Sequence, residues 1–460
     1  MEDERDLCKC VESRIIVGGM PMVVMKFGGS SISSPDKILR CIDLVEAELA
    51  RAPVVVVSAH GSTTDQLIST AERAVEGKLD VEPIEEYHAG LLDALELNAD
   101  LIASLIDELR AFLQGVSLIR ELTPRTLDHI MSFGERLSTR IVAAAMSKRG
   151  TMAVPVNAYE IGLLTDSRHG AAAPFPGISD QIARNLDRIA GVPVVTGFLG
   201  RNPKGDITTL GRSGSDFTAS IVAAAVHAEE VQIWTDVSGI MTCDPSLDPG
   251  AQSLRQLSFD EASELAYYGA EVLHPSTLVP AIHAGIPVRV LNTMHPQDEG
   301  TVILPEPVLT TRYAKSIVYK EDVNLITIAS PRLMSAVQIL SKAFDILTGH
   351  SIGVHMATTS EATVSMVTDR NYSGSELDAA IAALGELGLA SVEHGKAIIC
   401  VIGEELKGQV DVLGRVFGSL TDRGIKARMV SQSASEINVA FLVDNAQIEK
   451  AVKALHSTLV

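Results

Sequence analysis

No apolar run in this 460-residue sequence approaches the roughly 18 to 20 residues that a helix needs to cross a bilayer; the longest strongly apolar stretches, such as Val54 to Ala59 and Ile398 to Gly403, are far shorter. A membrane partner is therefore not expected. Positive charge is also scarce: 38 Lys and Arg stand against 58 Asp and Glu, a formal net charge of −20, with no dense basic cluster anywhere. Phosphate-backbone binding is driven by clustered cations, so nucleic acid is not an expected partner either. Cysteines number five, odd and scattered, which argues against a disulfide framework. Only Cys8 and Cys10 lie close together, and without a second Cys or His pair nearby no metal centre is expected. The first residues, MEDERDLCKC, lack the basic region and apolar run of a secretory signal, so a cytoplasmic location is the default expectation.

What is present is a globular composition, 46% hydrophobic and 21% charged, on a length that suggests about three domains. Residues 1–21 read as a tail, because a sharp apolar strand pattern begins at Met22. From 22 to 305, short apolar runs (Val54 to Ser58, Val192 to Thr196, Val231 to Trp234, Val288 to Leu291) alternate with helical patterns (Asp36 to Leu49, Arg136 to Ser147, Phe217 to Val226). This alternation predicts an α/β domain around a mostly parallel sheet, three layers deep with helices covering both faces. After a linker at 306–314 the texture changes to an internal repeat, with Phe344 answering Phe417, Ser360 and Glu361 answering Ser435 and Glu436, and Asp369 answering Asp444. Each copy reads as a ferredoxin-like βαββαβ unit, predicting modules at 315–389 and 390–460 with strands open to exchange between them. Such a pair suits a regulatory sensor or a dimerisation scaffold.

Four constellations could carry chemistry. In Lys26-Phe27-Gly28-Gly29-Ser30-Ser31 a strand runs into two glycines and small hydroxyls just before a helix near Pro35. Glycine lets backbone amides approach an anion, the helix start adds positive potential, and Lys26 supplies a point charge. The spacing is neither that of a Walker A loop nor that of a Rossmann fingerprint. In Gly211-Arg212-Ser213-Gly214-Ser215-Asp216 the arginine offers a bidentate grip on an anion at a helix start, although Asp216 would also serve as a plain N-cap. Glu135, in SFGERLS, opens a helix, where a glutamate ordinarily only compensates the dipole. Thr235 and Asp236 end a buried strand at its carboxyl end, the side on which open parallel sheets bind ligands.

Together and in this order, KFGGSS, SFGERLS, VVTGFLG, TTLGRSGSD, WTDVSGI, LAYYGAEVLHP and the TTSE and SQSASE signatures resemble the aspartate kinase family of the amino acid kinase superfamily, from about residue 23 to the end. The resemblance implies an amino acid kinase catalytic domain followed by two ACT domains. It implies transfer of phosphate from ATP, carried with Mg²⁺, to the side-chain carboxylate of L-aspartate, the entry step toward lysine, threonine and methionine. Carried over by residue, it implies that Lys26, Gly28, Gly29 and Ser30 cradle phosphate and that Asp216 orients Lys26. Glu135 would position the amino group of aspartate, Arg212 would clamp a carboxylate, and Ser215 would help hold the substrate. Thr63 or Thr64 would contact it, with Thr64 preferred, and Thr235 and Asp236 would lie at the nucleotide. Aspartate's side chain is ionised at neutral pH, so positioning and charge neutralisation are the whole task and no general base is needed.

The sequence departs from the family at the nucleotide side, where Met241, Ser246 and Glu271 stand in place of a Tyr, an Arg and a Lys. An anion at 271 should weaken ATP binding. These changes leave open a second reading, a catalytically silent paralogue acting as an amino-acid-sensing partner. The effector positions implied by the resemblance are Ser335, His355, Thr359, Ser360 and Glu361. His355 replaces an acid of the lysine-inhibited members, which favours threonine over lysine as effector. ACT sheets commonly join across a two-fold axis, implying a homodimer or homotetramer.

Overall fold

The computed structural model describes residues 21–269, 275–310, 312–329, 336–361, 363–369 and 374–460. Glu271 and Ser335, and the tail before Pro21, lie outside them. The described residues divide into two compact units, one of residues 21–240, 255–259 and 275–306, the other of 241–254, 260–269 and 307–460. Two segments from inside the span expected as the kinase domain, 241–254 and 260–269, thus pack with the C-terminal unit.

In the first unit the strands are β1 (Val23–Phe27), β2 (Val54–Val57), β3 (Ala153–Val156), β4 (Val192–Thr196), β5 (Leu199–Arg201), β6 (Ile207–Thr209), β7 (Glu230–Thr235), β8 (Gln256–Ser258), β9 (Val288–Asn292) and β10 (Thr301–Leu304). Their sheet runs β3-β4-β2-β1-β7-β9-β10-β8, and β5 and β6 form a separate hairpin. Pairing from β3 through β9 is parallel, and the β9/β10 pair alone is antiparallel among these neighbours. β1, β2 and β4 are buried at every position, which is why each reads as an unbroken apolar run. The helix Pro35–Ala47 starts where Ser34 accepts the Lys37 amide, and it turns Ile38, Cys41, Ile42 and Val45 into the core at helical spacing. Because β1, β2, β4 and β7 run the same way, their carboxyl ends share one edge, and the turns after them converge there.

The second unit carries one six-stranded antiparallel sheet, ordered β12-β13-β11-β14-β16-β15. Its strands are β11 (Ser316–Ala329), β12 (Val354–Thr359), β13 (Thr363–Thr368), β14 (Leu389–Ile402), β15 (Val430–Gln432) and β16 (Asn438–Asp444). The two 14-residue strands β11 and β14 lie side by side at the centre, with register shifts at Lys320/Val323 and Val323/Leu325 that divide the sheet into halves. Over one half pack the helices Ala336–Gly349 and Gly374–Leu384, around Ile328, Ala343 and Leu384. Over the other pack Val412–Thr421 and Ile448–Leu459, around Ile399, Phe441 and Leu455. The first half of β11 therefore completes the second module, since Ser316 to Lys320 pair with Ile398 to Ile402.

Candidate active site

At the carboxyl edge of the first sheet, Lys26 ends its strand 9% exposed, its Nζ 2.7 Å from Asp216 Oδ1. Asp216 stands in the first turn of the helix Gly214–Val226, so the ion pair joins β1 to that helix start. The turn after β1 is held by backbone contacts that leave no room for side chains. The Gly28 amide donates to the Trp234 carbonyl of β7 (3.2 Å), and Gly61 N donates to the Gly29 carbonyl (3.0 Å). A Cβ on Gly29 would fall 2.7 Å from the Ala59 carbonyl oxygen, so only glycine fits there. Ser30 is exposed and its carbonyl accepts from Lys37 Nζ, whereas Ser31 is buried with its hydroxyl on the Trp234 carbonyl. Thr235 and Asp236 finish β7 beside this turn, with the Thr235 hydroxyl donating to Asp236 Oδ1 at 3.2 Å.

Glu135 opens the helix Phe133–Lys148 and is 3% exposed. One carboxyl oxygen accepts the Ala59 amide at 3.1 Å; the other, Oε2, has no hydrogen-bond partner among the described residues. Burial pushes its pKa up to about 8 against the opposing effect of that amide. The helix approaches β2 closely because Gly134 has no side chain: a Cβ there would sit 2.7 Å from the Ala59 Cβ. Ser138 clamps the same place, donating to the Ser58 carbonyl at 2.6 Å.

The two candidate threonines separate clearly. Thr63 is fully buried with its hydroxyl donated to the His60 carbonyl at 2.6 Å, while Thr64 Oγ1 lies beside Gly134, next to Glu135. Ser215 packs so tightly on Gly197, the residue after β4, that a Cβ on Gly197 would fall 2.4 Å from the Ser215 hydroxyl. Arg212 is exposed and makes no ion pair among the described residues. The loop carrying it is shaped by positive φ at Gly211 (79°) and Ser213 (54°).

Two supporting residues were not singled out from the sequence. Asp128, fully buried on the short helix Pro124–Met131, accepts from the Thr209 hydroxyl (2.6 Å) and the Gly170 amide (3.1 Å) and pairs with His169 Nδ1 (2.7 Å). It braces the end of β6, and so the Arg212 loop, against the helix just before Glu135. His60, fully buried, joins the Ile32 carbonyl through Nδ1 at 2.7 Å, tying the turn after β2 to the glycine turn; burial and the nearby His88 lower its pKa to about 3. Nothing in TLDHIM or SAHGS marks either residue as more than a helix polar position or a turn.

The remaining expected residues lie in the second unit. Met241 bridges to Ser253, and Ser246 donates both its amide and its hydroxyl to Asp244 Oδ1 (2.8 and 2.6 Å), so that its hydroxyl is engaged within its own turn. His355 on β12 sits 2.8 Å from Asp369 Oδ1, which also pairs with Lys320 at 2.9 Å, and its ring meets Tyr267 edge-on at 5.5 Å. Although burial pushes the Asp369 carboxyl up, His355 and Lys320 together hold it down at about 2. Thr359, Ser360 and Glu361 are exposed at the β12/β13 turn, where Ser360 N donates to the Thr363 carbonyl.

A lysine–aspartate pair at a glycine turn, a buried carboxyl and a free arginine, all at the carboxyl edge of a parallel sheet, suit the transfer of an anionic group to a small zwitterion. The sequence matches the amino acid kinase family over residues 21–292 and an ACT domain over residues 399–459. The chain belongs to the amino acid kinase family. Among its relatives is aspartokinase 1, chloroplastic, of Arabidopsis thaliana, 38% identical over 453 residues that cover 95% of this chain and 79% of the relative. The structure of E. coli aspartokinase III in complex with aspartate and ADP matches with a TM-score of 0.79 at 30% identity, covering 95% of this chain and 99% of that one. The same enzyme in complex with lysine and aspartate matches with a TM-score of 0.78 at 31% identity and the same coverage. Within the amino acid kinases, then, this chain is an aspartokinase, with the kinase fold followed by ACT modules that the motifs imply.

Proposed function

We propose that the chain transfers the γ-phosphoryl group of ATP to the side-chain carboxylate of L-aspartate, giving 4-phospho-L-aspartate at the entry of lysine, threonine and methionine synthesis. The observation that carries this reading is the buried Oε2 of Glu135, without a partner among the described residues, one residue after Gly134, whose backbone faces the Thr64 hydroxyl. A buried carboxyl without a partner is unfavourable until a cation arrives, and the α-ammonium of aspartate is such a cation. In this reading Arg212 takes a carboxylate of the same substrate as a bidentate pair, and Ser215 and Thr64 complete the pocket. The β-carboxylate is already ionised and attacks the phosphorus directly. Lys26, held by Asp216, neutralises charge on the transferring group while the amides of the glycine turn and the start of the helix Gly214–Val226 add donors. Mg²⁺ enters as part of the nucleotide, held by phosphate oxygens and water.

The ACT unit is read as the seat of feedback by an amino acid. A lysine complex is known for E. coli aspartokinase III. Here His355, already paired with Asp369, offers an effector ammonium no free carboxylate, which favours threonine over lysine. A cytoplasmic homodimer or homotetramer is part of the proposal, as is a place for Met241, Ser246 and Glu271 on the nucleotide side, where Glu271 would weaken ATP binding.

The test is ADP release by purified chain with Mg-ATP, with and without L-aspartate, repeated with threonine and with lysine. Aspartate-dependent release is expected, reduced by threonine more than by lysine. No release, with aspartate still binding, would overturn the assignment in favour of a silent sensing partner.

A further inference from the structure

In the second unit, three side chains of metal-binding type meet, two of them from the segment that also carries Met241 and Ser246. Cys243 and Asp248 come from the segment 241–254, and His456 from the C-terminal helix Ile448–Leu459; their ligand atoms all lie within 4.8 Å of one another. Cys243 is 3% exposed and packs in the core of that half of the sheet, and the side chain of His456 is 10% exposed. His456 is oriented at both ring nitrogens. Nδ1 lies 3.0 Å from Asp248 Oδ2, and Nε2 lies 2.9 Å from the hydroxyl of Thr242, which also accepts the Gln252 amide.

We propose that Cys243, Asp248 and His456 form a binding site for a thiophilic divalent metal ion such as Zn²⁺, joining the segment 241–254 to the C-terminal helix. Thiolate, imidazole and carboxylate are each ligands of zinc, and three of them leave one further position for water. Bond lengths of roughly 2.0 to 2.3 Å place ligand atoms of a tetrahedral ion about 3.3 to 3.7 Å apart. The Nδ1 to Oδ2 separation of 3.0 Å is already close to that, and the thiol lies within 4.8 Å of both.

The surroundings have the form expected of an outer shell. With Nε2–H donated to Thr242, the lone pair of Nδ1 faces Asp248, and an ion would sit between the two. The Gly250 amide fixes the other oxygen of Asp248 at 2.9 Å. Asp244, the neighbouring carboxylate, is turned away and engaged by Tyr319 and Ser246. Burial, with Asp248 and Asp244, pushes the Cys243 thiol up to about 11, so binding must release its proton to solvent as the metal–sulfur bond forms. Residues 208 apart in sequence would be cross-linked at Asp248 and His456, and the segment bearing Met241 and Ser246 would be fixed to the ACT unit. The alternative is a latch of hydrogen bonds that never holds metal.

The full chain, freed of metal with a chelator, is titrated with Co²⁺ and then with Zn²⁺. One equivalent of Co²⁺ should produce a thiolate-to-cobalt charge-transfer band, bleached by one equivalent of Zn²⁺. The band should be absent in Cys243→Ser and unchanged in a Cys8→Ser/Cys10→Ser variant, which removes the tail thiols. In His456→Gln, a second variant with the thiol intact, Co²⁺ affinity should fall by about 100-fold. Circular dichroism confirms that each variant is folded, and Zn²⁺ should raise Tm in the native chain but not in Cys243→Ser. No band, a band that survives in Cys243→Ser, or one lost with the tail thiols overturns the proposal and leaves the latch.

Discussion

The Glu135 site of the kinase unit and the Lys315–Glu261 pair of the ACT unit treat buried charge in opposite ways. At the edge of the kinase sheet it is left incomplete: Glu135 keeps an oxygen without a partner, and Arg212 makes no ion pair among the described residues. In the ACT unit the most deeply buried charges are closed on themselves. Lys315 and Glu261, with side chains 2% and 0% exposed, pair at 2.8 Å, and the second oxygen of Glu261 accepts the Glu404 amide at 2.9 Å. A closed pair fixes one arrangement, whereas an incomplete one gains free energy only when a ligand completes it. On the proposed reading, the contrast separates Glu135, which would meet substrate, from Lys315 and Glu261, which hold the fold, although all three side chains are buried.

Substitutions sharpen or break that contrast, beginning with the largest expected effect. Lys26→Ala should lower kcat by about a thousandfold, read as ADP release, with aspartate binding by calorimetry largely retained. Near-normal turnover would remove Lys26 from the mechanism. Lys315→Met should leave turnover of the folded protein intact but strand Glu261 in the core. A loss of about 3 to 5 kcal/mol in stability is expected from the denaturant midpoint. Asp128→Asn should disturb the brace behind the Arg212 loop and lower kcat/KM for aspartate by about ten- to a hundredfold, with a smaller effect on ATP. Arg428→Ala removes a half-exposed pair with Glu393 and should change stability by less than about 1 kcal/mol without touching activity.

Much of this arrangement is legible in the sequence. β1, β2, β4, β7 and β9 stand out as apolar runs because a parallel strand covered on both faces has no polar side to interrupt it. Glycine turns were legible because close backbone approach, as at Gly29, leaves no other residue possible. Less visible were the contacts that depend on residues far apart in sequence. That Thr63 gives its hydroxyl to the His60 carbonyl, and that Asp128 meets Thr209, 81 residues downstream, depends on the folded chain. The segments 241–254 and 260–269 lie between kinase strands in sequence, yet bonds such as Ser316 Oγ to the Met241 carbonyl and Lys315 to Glu261 hold them to the ACT sheet. No periodicity within a segment announces which sheet it will pack against.

The claim that Glu135 waits for the aspartate ammonium can be tested by its proton. Burial raises its pKa from the model-compound value of 4.5 to about 8, so the folded chain keeps a proton that the unfolded chain has lost between those values. The sign follows: Glu135 makes stability fall as pH rises through that window, and Glu135→Gln should be progressively more stable than the native chain up to about pH 8. Aspartate must displace the same proton to bind as an ion pair. The most direct measurement is therefore KM for aspartate against pH in both proteins. We predict a KM about fivefold lower at pH 8 than at pH 7 in the native chain, and a higher, pH-independent KM in Glu135→Gln. A native KM that is flat across that range, or a variant that matches it, would contradict the account.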